Sequence, residues 1–277
     1  MAGKLYLVGT PIGNLGDLSP RALETLREAD FIAAEDTRVS LKLLNHFDIR
    51  KSLVSYYEHN KYASGEKILE RILAGETCAL VTDAGMPAVS DPGEDLTAMC
   101  AERGVEVVAV PGPSALIAAL ALSGLPTGRF TFEGFLSVNK RERAEHLDSL
   151  KREERTMIFY EAPHKLLRTL EALLSALGNR RISVCRELTK LHEETLRTTL
   201  SDALAYFTQA PPRGEFVLVV EGAPKETQAT ASPEDALRIM ERYRAEGRSM
   251  KEAARLAAAD TGFSKNELYQ QALQNKE

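Results

Sequence analysis

The sequence predicts an α/β protein built as two α/β halves followed by a small helical appendage. Three observations carry this expectation. Short apolar runs rich in Leu, Val and Ile alternate with helix-period stretches, which is the pattern of strand–helix units. The pattern pauses between Pro111 and Gly128 and then resumes. From Ser232 onward the apolar runs stop, and three helix-start signals follow one another.

In the first half, Leu5–Val8, Ala79–Val81 and Val105–Val110 read as strands, with Pro20–Glu28, Ser64–Leu73 and Glu94–Arg103 as helices between them. Ser19-Pro20 is a start signal, a serine N-cap followed by proline at the first helical position. The apolar runs do not alternate with polar residues, which suits parallel strands covered on both faces. In the second half, Phe130–Phe132, Thr156–Tyr160, Ile182–Cys185 and Phe216–Val220 read as strands. Leu166–Leu177 reads as a helix ended by Gly178-Asn179, and Lys140–Arg155 as a charged helix. The expected domains are 1–114 and 115–225, then a polar linker, Ala223–Ser232, and the appendage 232–277. There Ser232, Ser249 and Ser264 each precede an acidic residue three positions on, Asp235, Glu252 and Glu267, the layout of capping boxes. Helices of about 11–13 residues are marginal alone and need one another to pack against. A helix-turn-helix and a generic helical hairpin both fit this segment.

Composition bounds the function classes. No apolar run in the 277 residues approaches the roughly 18 expected of a membrane span. The start, MAGKLYLVG, enters a strand at once and has no secretory pattern. Three widely spaced cysteines, Cys78, Cys100 and Cys185, indicate neither a disulfide framework nor a zinc site. Reduced thiols and a cytoplasmic location are expected. The net charge of −5 means that any nucleic-acid contact must be local.

The familiar nucleotide fingerprints are absent. Gly9, Gly13 and Gly16 fit neither the dinucleotide-binding spacing nor a P-loop. What remains is a set of turns at strand ends: Gly9–Asn14, Asp83–Pro87 and Pro111–Ala115. Ligands of open α/β sheets bind beyond the carboxyl ends of strands. Gly and Pro let the backbone turn sharply there, so its N–H and C=O groups do the recognising. Charged residues close to other strands form a second group: Glu35, Asp36 and Arg38 in AAEDTR, Glu161 and His164 in FYEAPHK, and Arg186, Glu187 and Lys190 in CRELTK. Singly, each reads first as a surface ion pair. The run Lys140–Arg155 carries six basic and five acidic residues, so it is a solvated face or, through Lys140, Arg141 and Arg143, a phosphate contact. His46, His59, His146 and His192 have no metal-like grouping, and no metal is expected.

Taken together, LYLVGTPIGNLGD, AAEDTR, VTDAGMPAVSDPG, VPGPSA, FEGFL, FYEAPHK and CRELTK closely resemble the bacterial small-subunit (16S) ribosomal RNA cytidine 2′-O-methyltransferases of the tetrapyrrole-methylase superfamily. The resemblance runs from about Lys4 to Gly222, and the terminal segment is similar to that family's helix-turn-helix-like domain. It implies two α/β domains of tetrapyrrole-methylase type with S-adenosyl-L-methionine folded in the cleft between them. By the same match Pro11, Asp83, Met86, Ser114, Ala115 and Tyr160 are cofactor candidates, while Asp91-Pro92-Gly93 shapes the loop and starts the next helix.

The implied reaction moves a methyl group in line from sulfonium to a ribose 2′-hydroxyl of a cytidine in the decoding region. Sulfonium is already a good leaving group, so alignment supplies much of the rate and a general base must take the proton. Glu35, Asp36, Glu161, His164, Glu187 and Lys190 are the candidates, with no choice among them. Arg38, Lys140, Arg141 and Arg186 are candidates for the RNA. The resemblance also implies a homodimer and a substrate presented as ribosomal RNA, in assembled subunits or bare. The alternatives are a methyltransferase of tetrapyrrole precursors and a non-catalytic RNA- or cofactor-binding module. The latter needs the Gly/Pro turns but not the clustered Glu, His and Lys.

Overall fold

The computed structural model describes residues 3–224 and 232–274. The expected linker falls mostly on 225–231, outside the described residues. The chain divides into two compact units, Met1–Ala223 and Pro224–Glu277.

The first unit begins with β1 (Lys4–Val8), α1 (Pro20–Glu28), β2 (Phe31–Ala34), α2 (Thr37–His46), β3 (Ser52–Ser55), α3 (Lys61–Leu73), β4 (Cys78–Val81), α4 (Glu94–Glu102) and β5 (Glu106–Val110). The strands form one sheet in the order β3-β2-β4-β1-β5, and every pairing is parallel. Alternate residues of each strand feed two cores. Leu5, Phe31, Ala33, Cys78 and Leu80 pack with Ile68, Ile72 and Leu96 of α3 and α4. Val8, Ile32, Ala34, Ala79 and Val81 pack with Ala22, Leu26 and Leu44 of α1 and α2 on the other face. Burial on both faces explains why the central strands β2 and β4 carry no polar residue.

It continues with α5 (Ala115–Leu122), β6 (Phe130–Phe135), α6 (Lys140–Ser149), β7 (Thr156–Glu161), α7 (Leu166–Leu177), β8 (Arg181–Arg186), β9 (Glu194–Thr199), α8 (Leu200–Gln209) and β10 (Phe216–Val220). The second sheet has the order β6-β7-β10-β8-β9. It is not the parallel sheet that the strand–helix alternation predicts. Only β6 and β7 run parallel; β10 enters antiparallel between β7 and β8, and β9 pairs antiparallel with β8. A run such as Phe216–Val220, buried at every position, looks the same in either direction, because burial constrains side chains and not strand polarity. Helix α5 packs on this sheet through Leu116, Ala119 and Leu120 against Ile158, Val217 and Val219.

The charged helix is shorter than its composition implies. It stops at Ser149, and 150–155 run back towards β7. Arg180, which is buried, satisfies the carbonyls this exposes, donating to Lys151 O at 2.6 Å and to the carbonyls of Glu153 and Glu221. A guanidinium with five donors is suited to such a cluster of acceptors.

The second unit holds α9 (Pro233–Ala245), α10 (Met250–Thr261) and α11 (Lys265–Gln274). Ser232 and Asp235 form a reciprocal capping box, and the Ser249 hydroxyl accepts from Glu252 N–H. Ala236, Met240, Ala253, Ala254, Ala257 and Leu268 make a common core. Small alanines there let three short helices approach closely. No helix of the described residues is long and apolar enough to cross a membrane.

Candidate active site

Parallel pairing in the first sheet puts the carboxyl ends of β2, β4, β1 and β5 side by side along one edge. The three Gly/Pro turns therefore meet there. Thr10 N–H donates to Gly85 O at 2.9 Å, and Gly85 N–H donates back to Thr10 O at 3.1 Å. The Thr10 hydroxyl donates to Thr82 O. Gly9 lies against Gly112 so closely that a Cβ on Gly9 would sit 2.6 Å from Gly112 Cα and 2.7 Å from Met86 Sδ. That is the physical reason for glycine in both turns: two backbones touch where any side chain would separate them.

In the second sheet β6, β7 and β8 end on a common edge, and antiparallel β10 begins there. Phe135, Tyr160, Glu161 and Glu215 are thereby collected. The two edges enclose a cleft of about 760 Å³, lined from the first half by Ile12, Ala84–Met86, Val89–Asp91 and Ser114, and by Ala115–Ile117 at the start of α5. The second half contributes Phe135, Tyr160–Pro163, Leu188 and Glu215–Val217. Its size and largely apolar wall suit a drug-sized organic molecule. The Tyr160 hydroxyl accepts from Leu116 N–H at 3.1 Å, tying the start of α5 to β7. Ser114 makes no side-chain cap there, so donors of the first turn of α5 remain for a ligand.

The loop 82–93 carries unusual backbone geometry. Besides Gly85 and Gly93, the non-glycine residues Ala88 and Ser90 have φ of 67° and 63°. Left-handed non-glycine residues cost of order 1–3 kcal/mol each and concentrate at ligand-binding sites. Across the cleft, Glu187 and Thr189 do the same, with φ of 52° and 65°.

Of the residues singled out from sequence, Met86, Ser114, Ala115, Tyr160 and Glu161 line the cleft. Pro11 and Asp83 stand next to lining residues, Ile12 and Ala84, without lining it themselves. Asp83 accepts from Asp36 N–H at 3.2 Å and so joins the ends of β4 and β2. Asp36 caps α2 and pairs with the exposed Arg38, which holds its carboxyl down at about 2. Glu35 beside them is pushed up by burial and by the Asp83 charge. Glu161 is buried and committed, accepting from the Thr169 hydroxyl and from Ala162 N–H. His164 is exposed on the short turn that follows and lies outside the cleft lining.

Glu187 and Lys190 sit at the rim, where a Cβ on Gly13 would meet Lys190 Cγ and Thr189 Oγ1. Lys190 donates to Glu187 at 3.0 Å and to Glu215 at 2.7 Å. Burial pulls its pKa down, but those two bonds outweigh this and raise it overall; Glu187 is correspondingly lowered. Lys190 is therefore protonated in the free protein. Arg186 pairs with Glu194 at 2.7 Å and leaves its Nε without a partner. Lys140 and Arg143 lie away from the cleft, along a shallow groove of about 380 Å³ between α6 and α7. Arg141 bonds Glu145.

Asp91 is the residue that sequence reasoning placed elsewhere. Asp-Pro-Gly is turn chemistry, and Gly93 does start α4, yet Asp91 also lines the cleft. Burial, and then the charges of Glu35 and Asp83, push its carboxyl up to about 7. Nothing local signals this, because Glu35 comes from a different strand.

Comparison with known proteins agrees with this geometry. Residues 4–204 match the family Tetrapyrrole (Corrin/Porphyrin) Methylases, and residues 230–276 match the RsmI C-terminal HTH domain. A Synechocystis protein described as Ribosomal RNA small subunit methyltransferase I is 50% identical over 98% of both chains. Proteins of the same description from Bacillus subtilis and Escherichia coli O157:H7 are 45% and 44% identical, over 96% and 99% of this chain and 93% and 96% of theirs. Among solved structures, diphthine synthase superposes with a TM-score of 0.62 at 17% identity, covering 79% of this chain and 90% of that one. Uroporphyrin-III C-methyl transferase from Thermus thermophilus, complexed with S-adenyl homocysteine, gives 0.55 at 21%, covering 79% and 97%. These last two are likenesses of fold. On its sequence and its architecture alike, the chain belongs to the tetrapyrrole (corrin/porphyrin) methylase family.

Proposed function

We propose that this protein methylates small-subunit ribosomal RNA, using S-adenosyl-L-methionine, on the 2′-hydroxyl of a cytidine in the decoding region. The observation that carries the reading is the cleft where the strand ends of both halves meet, in a chain whose nearly full-length relatives are described as small-subunit ribosomal RNA methyltransferases. The fit to the cofactor rests on the donor set. Three interlocked turns and the start of α5 offer backbone groups for the amino acid and ribose parts, and Ile12, Leu116, Phe135 and Val217 offer an apolar wall for the adenine. Bound there, S-adenosyl-L-methionine supplies an electrophilic methyl group on a positive sulfur.

The protein's own part is alignment, water exclusion and proton removal. Met86, Ser114, Ala115 and Tyr160 orient the cofactor, and Tyr160 keeps α5 fixed against β7. Pro11 and Asp83 act one step back by holding the turns. Alignment of the accepting oxygen with the methyl group supplies much of the rate. Arg38 and Arg186 at the two strand edges, and Lys140 and Arg141 on α6, are the phosphate contacts. A guanidinium binds phosphate in bidentate fashion, and single-stranded RNA offers both phosphates and unstacked bases. We extend the reading to a cytoplasmic homodimer acting on assembled subunits, as the family resemblance implies.

The test is methyl transfer from labelled S-adenosyl-L-methionine to small ribosomal subunits lacking their modifications, with mass mapping of the product. Label on one cytidine ribose is the expected result. Absence of label on subunits and on bare RNA, with the cofactor still bound, rejects the reading. Transfer to a tetrapyrrole precursor instead would support the other branch of the family. Light scattering at micromolar concentration checks the dimer.

A further inference from the structure

We propose that Asp91 is the residue that takes the proton from the accepting hydroxyl. The inference rests on the methyl-transfer reading above and names the catalytic group that the sequence left open. Three carboxylates line the cleft: Asp91, Glu161 and Glu215. Two are already engaged. Glu161 accepts from the Thr169 hydroxyl and the Ala162 N–H, and Glu215 pairs with Lys190. Asp91 has no hydrogen-bond or ion-pair partner among the described residues, so its oxygens are free to meet a substrate hydroxyl. It sits on the loop whose two preceding left-handed residues, Ala88 and Ser90, and the tightly packed Gly93 fix where the carboxylate points.

The groups facing Asp91 explain its character. Burial is the first cause, and Glu35 at the end of β2 and Asp83 after β4 add to it by repelling the negative charge. The Tyr160 phenol of β7 faces it from the second sheet. The carboxyl is thereby raised to about 7, near the pH at which the protein works, where a general base is most effective. Glu35 and Asp83 lie outside the cleft lining and bond each other's backbone segments, Asp83 to Asp36 N–H and Glu35 to the Asp83 backbone. Their role is to tune Asp91.

The step balances simply. The hydroxyl oxygen forms a bond to the methyl carbon, the carbon–sulfur bond breaks with its electron pair going to the sulfonium sulfur, and the hydroxyl proton passes to an Asp91 oxygen. The proton then leaves to solvent.

Wild-type methyl transfer to undermodified small subunits is measured first; its absence overturns the functional reading and this proposal with it. Given wild-type transfer, Asp91→Asn is expected to lower the single-turnover rate about 10²–10³-fold, with cofactor affinity by calorimetry changed less than about twofold. Asp91→Glu should recover part of that rate. A second measurement needs neither turnover nor an active variant. Carboxylate ¹³C NMR of the free protein should show one aspartate titrating near 7 that Asp91→Asn removes, and Glu35→Gln should move it to lower pH. Transfer by Asp91→Asn within about threefold of wild type, or an Asp91 that titrates in the ordinary carboxylate range, overturns the assignment.

Discussion

Two groups of carboxylates stand at the strand ends beside the same cleft, one on each sheet, and their environments differ in sign. At the edge of the first sheet, Glu35, Asp83 and Asp91 are all raised, first by burial and then by neighbouring carboxylates, with Arg38 offsetting this in part at Asp83. At the edge of the second sheet, Lys190 stands between Glu187 and Glu215, and Glu187 is lowered. The difference teaches that a carboxylate's role is set by what surrounds it and not by its proximity to a ligand. A carboxylate raised towards neutral pH is suited to proton chemistry; one clamped by a cation is suited to holding a loop in place. Four experiments break or sharpen this contrast.

The largest effect belongs to the frame that brings the clusters together. Gly9→Ala places a methyl group against the Gly112 backbone and Met86, and neither backbone can yield without parting the Thr10–Gly85 bridge. A loss of about 3 kcal/mol is expected for overpacking against main chain, with cofactor affinity down by more than tenfold. Denaturant unfolding and calorimetry check it. Unchanged stability and affinity would show that the turns do not need their close contact.

Next comes Glu161, the engaged carboxylate between the two groups. Thr169→Val removes its hydroxyl donor from a buried site. Leaving a buried acceptor short of a partner costs about 1–3 kcal/mol. If chemical denaturation shows less than about 0.5 kcal/mol, Glu161 is not held by that bond and returns to the list of proton acceptors.

These predictions expose what was legible in the sequence. The three turns at Gly9, Asp83 and Pro111 could be read because sharp turns and touching backbones demand Gly and Pro, and such demands leave a mark at each position. Two-face burial in the first sheet could be read for the same reason. Strand direction in the second sheet could not: β10 slips between β7 and β8 because of long-range pairing that no local residue encodes. Edge strands β3 and β9 are polar and half-covered, SLVS and ETLRTT, so they lack the apolar run that marks a strand. Arg180 looks like any exposed arginine until its carbonyl partners are assembled around it. Asp91 is hidden by the same logic. Its own neighbours, Pro92 and Gly93, mark a turn, while it is raised first by the burial that folding imposes and then by charges from β2 and the end of β4.

A smaller effect tests the clamped side. Lys190→Met removes the cation from Glu187 and Glu215. Because Glu187 is lowered in the fold, the stability it contributes is fully present above its ordinary range and is lost as pH falls through its folded value. Lys190, being raised, contributes below its ordinary range and loses this as pH rises through its folded value. The substitution should therefore cost about 1 kcal/mol at pH 7, a modest figure because the groups are partly solvated, and much less at pH 3. A cost independent of pH would mean that the Lys190 stem packs while its charge does nothing.

The smallest effect has the opposite sign. Asp91 is raised in the fold, so the native state binds its proton more tightly than the unfolded chain does. Stability attached to that proton is fully present below the unfolded value and is lost as pH rises towards about 7. Above that, a charged Asp91 beside Glu35 and Asp83 is a net burden on the fold. Asp91→Asn keeps the shape and removes the charge. It should raise stability at pH 8 by about 1 kcal/mol, discounted for the water reaching a half-buried group, which is about 2–4 °C in Tm. At pH 4, where Asp91 is protonated in the fold, the gain should vanish. Thermal unfolding of the two proteins at both pH values decides it. A variant that is less stable at pH 8 would mean that the carboxylate has a partner holding it, and Asp91 would then belong with Glu187 among the groups that hold loops in place.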